Sequence, residues 1–157
     1  MTHEQKQDFT LRITQANETQ LVVILYEILA VYLQEALDTL EDESEGLEEA
    51  VRKSRSCINE LIASVDLRYS PGVELNKIYF FWLRQLAQGL RKKEKAPFLQ
   101  VQNCLVKLHK AYSEIAPQNK KGPVMSNSQT VYTGMVYGRD SLSQSLTDTG
   151  SGRGFRV

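Results

Sequence analysis

Apolar residues recur at three- and four-residue spacing along most of the chain as far as residue 117, which is the period of a helix that buries one face. The clearest run lies between residues 18 and 41, with apolar positions Leu21, Ile24, Leu25, Ile28, Tyr32, Ala36, Leu37 and Leu40. Asn17 precedes it and is a residue type that caps helices, while Gln20 three positions later completes a capping box. The pattern predicts a first helix over about residues 18–41.

Three further segments show the same helical period. With the first, the predicted helices span about residues 18–41, 47–65, 73–90 and 97–115. We expect Pro71 and Gly72 to break the chain before the third helix, and Pro97 suits the first turn of the fourth. Four helices joined by short turns favour an all-α, antiparallel up-and-down four-helix bundle.

The pattern also predicts three regions of the chain. Residues 1–16 are expected to form a short N-terminal arm, residues 17–117 the bundle, and residues 118–157 a long and largely flexible tail. The tail is rich in Ser, Thr and Gly and has no sustained period, which is typical of segments that cannot bury a core. An apolar island in the tail, VYTGMVYGR, is a hypothetical occupant of an empty groove on the bundle.

The third predicted helix is unusual because apolar residues surround it. Residues 78–83 read IYFFWL, and successive side chains of a helix turn by about 100°, so no face of this run is polar. Phe80, Phe81 and Leu83 are surplus to the core stripe that contains Trp82. A strand would also suit the aromatic residues, but the helical period continues on both sides of the run.

This surplus is too large to ignore. Two bare aromatic side chains forgo roughly 8 to 12 kcal/mol of burial, which rivals the ~5 to 15 kcal/mol stability of a typical domain. The first helix has a surplus too, at Val22, Val23, Leu29, Val31 and Leu33. Five candidates could cover these surplus apolar side chains: the bundle itself, the N-terminal arm, the tail island, a second copy of the chain, or a partner's amphipathic helix laid in a groove.

Composition excludes several classes of function. Lys plus Arg and Asp plus Glu both number 19, so the chain has no large basic field for nucleic acid or anionic membrane. Cys57 and Cys104 lie in apolar-periodic segments, which indicates reduced cysteines in the core of a cytoplasmic protein. The N-terminus lacks the apolar core of a signal peptide, and we expect no membrane insertion.

The sequence offers no catalytic or metal site and implies no cofactor. His3 and His109 are the only histidines, and the Glu-x-x-His pairs of di-iron bundles are absent. His109 lies beside the apolar stripe of the fourth predicted helix, where a structural or surface role is expected. No phosphate-binding, dinucleotide-binding or hydrolase motif is present.

The segment ITQANETQLVVILYEILAVYLQEAL resembles the opening of the flagellar export chaperone family FliS, whose first helix has a Val-x-Thr-Ala-Ser-Pro-Glu-Glu-Leu-like pattern followed by Leu-Tyr-Asp. The positions that match are Ile13, Ala16, Asn17, Leu21, Leu25, Tyr26 and Glu27. CINELIASVD and LNKIYFFWLRQL are similar to the family's second and third helices, so the resemblance covers about residues 9–116. Asp8 replaces a tyrosine of the family's N-terminal arm, which leaves the self-capping role of that arm open.

The resemblance implies a chaperone that binds the disordered C-terminal region of flagellin in the cytoplasm, prevents its premature polymerisation, and presents it to a component of the flagellar type III export gate. The predicted partner-binding residues are Tyr26, Leu29, Leu33, Tyr79, Phe80, Phe81, Leu83, Val101 and Leu105. A chaperone with an open groove is expected to be a monomer or a weak homodimer. The alternative is a homodimerising helical adaptor that buries the same surface against its own copy and has no flagellar client.

Overall fold

The computed structural model describes residues 1–123, which form helices joined by short connections and contain no strand. The helices are α1 (His3–Gln15), α2 (Glu18–Glu41), α3 (Leu47–Ser64), α4 (Ser70–Lys92) and α5 (Lys95–Ile115), followed by a 3₁₀ turn at Ala116–Gln118. Helices α2 to α5 correspond to the four predicted helices, so the predicted all-α class is confirmed. The apolar island of the predicted tail lies outside the described residues.

Residues Glu18–Lys120 form one compact unit. Within it, α2 and α4 each pack against both α3 and α5, so the four helices form a closed ring of neighbours. The connections are only residues 42–46, 65–69 and 93–94, and connections this short make successive helices antiparallel. The large side chains that are fully buried include Trp82, Tyr26, Tyr32, Tyr79, Phe98, Leu25, Ile28, Leu29, Leu33, Ile58, Leu61 and Leu86.

Residues Met1–Asn17 belong to a second unit, and most of them are helical where the sequence predicted only an arm. A capping box begins α1: the Gln5 N–H donates to Thr2 Oγ1 at 3.1 Å, and the Thr2 N–H donates to Gln5 Oε1 at 2.8 Å. Phe9 and Ile13 are buried. The sequence TxxQ at residues 2–5 was the available signal for this helix.

The α3–α4 connection corrects the expectation that Pro71 and Gly72 precede the third predicted helix. Both residues lie in the first turn of α4, where proline needs no hydrogen-bond donor. The Asp66 carbonyl oxygen lies so close to Gly72 that a Cβ there would be 2.0 Å from it. Glycine at residue 72 therefore allows the connection to fold tightly onto the start of α4.

One described helix meets the length and composition criteria for a membrane span. The apolar window of α2 has a mean hydropathy of 1.5, but 56% of that window is buried within the protein. Leu25, Ile28 and Leu33 of α2 are completely enclosed. The apolar side chains of this helix therefore serve the core of the bundle.

Candidate partner-binding surface

The structure separates the predicted partner-binding residues into two groups. Phe80 and Phe81 are exposed and Leu83 is half-buried, whereas the remaining predicted residues are buried. The buried members are Tyr26, Leu29, Leu33, Tyr79, Val101 and Leu105. The buried group lies inside the bundle, so the accessible part of the predicted surface is on α4.

An aromatic cluster connects α2, α4 and α5 inside the bundle. The hydroxyls of Tyr26 and Tyr79 are hydrogen-bonded to each other at 2.6 Å. The Tyr26 ring also meets Tyr112 edge-on at a centroid distance of 5.5 Å, and the Tyr79 ring lies 5.4 Å from that of Trp82. Trp82 Nε1 is buried without a hydrogen-bond acceptor among the described residues. The cluster therefore combines close ring packing with polar atoms that have few partners.

Burial sets the protonation of this cluster. It raises the pKa of Tyr26 and of Tyr79 well above the usual value for a phenol, and the neighbouring Tyr79 hydroxyl raises the Tyr26 pKa further. Burial also raises the pKa of the Tyr112 phenol. These hydroxyls therefore stay neutral further into the alkaline range than an exposed phenol does.

We name Phe80, Phe81 and Leu83 the α4 strip. The exposed fractions of Phe80 and Phe81 are 45% and 39%. Phe80 is two residues from the buried Trp82, which places it about 200° away and on the outward side of the helix. Leu83 lies about 60° to one side of Phe80 and Phe81 about 100° to the other. The three side chains therefore spread over about 160° of the outward side of α4.

The Phe81 edge of the strip borders α5. Gln85 shares the face of Phe81 because it is four residues further along the helix, and its amide hydrogen-bonds to Gln100 of α5. The Arg84 guanidinium lies 5.9 Å from the centroid of the Phe81 ring. A partner on the strip would therefore meet aromatic rings with the cationic Arg84 beside them.

A second exposed apolar surface was missed by the sequence analysis. Leu99 and Val106 of α5 are 43% and 62% exposed, and their seven-residue spacing places them on one face. Gln102 precedes Val106 by one helical turn and donates to Gln34 Oε1 of α2 at 3.1 Å. These two residues, which we name the α5 pair, therefore lie toward α2 and away from the α4 strip. Their seven-residue spacing was the signal in the sequence for this surface, but it was overlooked because both positions lie off the predicted core stripe of the fourth helix.

A small pocket lies at the end of the bundle where α3 joins α4. It has a volume of about 200 Å³ and is lined partly by Val22, Val65 and Leu75. The tyrosines of its wall are Tyr69, Tyr79 and Tyr112. Exposed Leu67 and Tyr69 in the α3–α4 connection were not predicted as surface apolar residues. We name this cavity the tyrosine pocket.

The opposite end of the bundle is acidic. A cavity of about 360 Å³ at the α2–α3 turn is lined by residues that include Glu35, Asp38, Asp42 and Glu49. The Arg52 guanidinium holds the pKa of the Glu49 carboxyl below its usual range. The two ends of the bundle therefore present different chemistry, with tyrosines and apolar side chains at one and carboxylates at the other.

The remaining candidate residues occupy structural positions. Cys57 is buried, and burial raises the pKa of its thiol, whereas Cys104 is only half-buried and so departs from the predicted core position. His109 Nε2 lies 3.1 Å from Glu27 Oε1, an interaction that joins α5 to α2. Within residues 1–123, no three His, Cys, Asp or Glu side chains are grouped so that they could hold a metal ion.

Comparison with known families gives one result that bears on this surface. A family model described as flagellar protein FliS matches residues 1–119. The match spans α1 to α5 and therefore includes the α4 strip, the α5 pair and the tyrosine pocket. Comparison with individually curated proteins gives no match.

Proposed function

This chain belongs to the flagellar protein FliS family, whose members are flagellar export chaperones, and from that premise we propose that its client is the disordered C-terminal region of flagellin. The chaperone binds this region in the cytoplasm, keeps it from polymerising prematurely, and delivers it to a component of the flagellar type III export gate. It acts as a monomer or a weak homodimer. The observation that carries the proposal is the exposed α4 strip.

The strip has the form that an amphipathic helix recognises. Phe80, Phe81 and Leu83 lie along one side of a helix, and a client segment that folds on docking can lay its own apolar face across them. Ordering such a segment costs free energy that burial of apolar surface must offset. Aromatic side chains supply much of this burial in protein interfaces.

The available burial sets the size of the effect. A phenylalanine side chain buries on the order of 200 Å² when fully covered, and Phe80 and Phe81 have 45% and 39% of their surface exposed. Covering the part of each ring that is now exposed is worth about 2 kcal/mol. The strip therefore contributes part of the binding free energy, and the client must make further contacts elsewhere.

The remaining buried members of the predicted site support the strip from behind. Tyr79 lies on the core side of α4, and its hydroxyl is hydrogen-bonded to the Tyr26 hydroxyl of α2 at 2.6 Å. Leu29 and Leu33 of α2 and Val101 and Leu105 of α5 belong to the same interior. In this proposal they hold α4 rigid, and the client contacts the residues outside them.

The proposal is tested by titration calorimetry of the full chain against the C-terminal segment of the flagellin encoded in the same genome. We expect submicromolar one-to-one binding, a negative heat-capacity change, and a gain of helical circular dichroism on mixing. Absence of binding, together with a dimer that persists at nanomolar concentration on sizing, would instead indicate the homodimerising adaptor.

A further inference from the structure

The tyrosine pocket has a charge pattern that restricts its occupant. Asp66 is the one charged residue among those that line it. Hydrogen bonds from the Arg68 side chain and backbone lower the pKa of the Asp66 carboxyl. The Asp66 side chain is 41% exposed, so this carboxylate lies at the rim of the pocket. Apolar walls and tyrosine rings beside an exposed negative charge complement a positive charge on an apolar stem.

Arg68 shows that a cation is accommodated at this rim. Its Nη2 lies 2.8 Å from Asp66 Oδ2, and its guanidinium carbon lies 5.9 Å from the centroid of the Tyr69 ring. The Arg68 side chain is 83% exposed. An ion pair this exposed contributes little to stability, so a second cation can replace Arg68 at small cost.

The rim is also held in place by the backbone. The Arg68 N–H donates to Asp66 Oδ1 at 3.0 Å, and the Asp66 carbonyl packs directly against Gly72 at the start of α4. This contact leaves no room for a larger residue at position 72. The carboxylate is therefore presented by a short, tightly packed connection.

We propose that the tyrosine pocket binds the cationic side chain of a lysine or arginine in the client segment. The methylene stem packs on Val22, Val65 and Leu75, and the charged head lies between the tyrosine rings and the Asp66 carboxylate. Cations are attracted to the faces of aromatic rings, and long basic side chains bury their stems while the heads stay polar. The inference rests on the proposed function, since it adds an anchoring point for the same client.

Two exposed substitutions with opposite expected signs test it. Asp66→Asn keeps an oxygen that accepts from the Arg68 N–H but removes the charge, and we expect about tenfold weaker binding of the flagellin C-terminal segment. Arg68→Gln removes the competing cation, and we expect binding about threefold tighter at low salt. Asp42→Asn in the acidic turn at the other end is the matched control and should change little.

A synthetic client identifies the side chain that is bound. In this peptide norleucine replaces each lysine and citrulline replaces each arginine, so stems of similar length remain without charge. The tenfold effect of Asp66→Asn should disappear with the neutral peptide. Trp82 is the single tryptophan, and its ring lies 5.4 Å from that of Tyr79 in the pocket wall, so its fluorescence reports occupancy.

Each outcome decides the proposal. If the wild-type chain binds flagellin but Asp66→Asn and Asp42→Asn behave alike, the cation pocket is wrong and the chaperone function stands. If the neutral peptide binds as tightly and still changes Trp82 fluorescence, the occupant is an apolar side chain. If the wild-type chain does not bind flagellin at all, both the function and the pocket assignment are overturned.

Discussion

Helices α2 and α4 lie diagonally across the bundle and differ in how far their surplus apolar residues are buried. Leu29 and Leu33 of α2 are completely buried, whereas Phe80 and Phe81 of α4 are exposed. The buried positions of α2 spread over more than about half of its circumference, but those of α4 occupy only about a third. The arc that neighbouring helices reach, and not the number of apolar residues, decides which side chains remain available to a partner.

The largest expected effect comes from the buried side of this comparison. Leu33→Ala removes a completely enclosed side chain of α2, and we expect unfolding free energy to fall by about 2 to 5 kcal/mol. Urea denaturation followed by circular dichroism measures it. Leu83→Ala, the same change at a half-buried position of α4, is the control and should cost clearly less. Equal losses would contradict the difference between the two helices.

The next largest effect concerns the Tyr26–Tyr79 hydrogen bond, which joins α2 to α4. Tyr79→Phe leaves the buried Tyr26 hydroxyl without its partner at 2.6 Å, and we expect a loss of about 1 to 3 kcal/mol in unfolding free energy. The double variant Tyr26→Phe/Tyr79→Phe removes both hydroxyls and should lie closer to the wild type. A double variant whose loss equals the sum of the single losses would show that this hydrogen bond does not couple the helices.

Alkaline pH should weaken the same buried cluster. Burial raises the pKa of Tyr26, Tyr79 and Tyr32 in the folded chain, whereas phenols of the unfolded chain ionise near pH ~10. Above that pH the unfolded state binds fewer protons, so stability falls by about 1.4 kcal/mol per pH unit for each such phenol. Urea denaturation between pH 8 and 11 should show this decline. The slope of Tyr26→Phe/Tyr79→Phe should be shallower, and identical slopes would contradict the assignment.

Much of the fold could be predicted because helical periodicity is a local property. The limits of α2 follow directly from its pattern. Two errors have local causes: Pro71 and Gly72 were interpreted as a break although both suit the first turn of α4, and the Thr2–Gln5 capping box of α1 was overlooked.

The candidate site was less predictable because exposure depends on neighbouring helices. The apolar run of α4 indicated a surplus at Phe80 and Phe81, and both are exposed. The pattern did not indicate that Tyr26 and Tyr79 meet inside the bundle, since their hydrogen bond joins residues far apart in the chain. Exposed Leu99 and Val106 lie off the core stripe of α5, so they were left out although they share a face.

The α4 strip can be tested directly because its two aromatic rings are only partly covered within the bundle. Phe80→Ser/Phe81→Ser truncates both rings, and we expect unfolding free energy to fall by about 1 to 3 kcal/mol, which is less per residue than at the enclosed Leu33. Leu99→Ser/Val106→Ser on the α5 pair is the matched control, since it removes comparable exposed apolar side chains on a different face.

The measurement that tests the central claim most directly is the dissociation constant of the flagellin C-terminal segment for these two double variants and the wild type. Covering the exposed parts of both rings is worth roughly 4 kcal/mol in total, and loss of about half of this corresponds to ~30-fold weaker binding for Phe80→Ser/Phe81→Ser. The α5 control should bind as the wild type does. Unchanged affinity of Phe80→Ser/Phe81→Ser, with the fold intact, would contradict the assignment of the α4 strip as the client-binding surface.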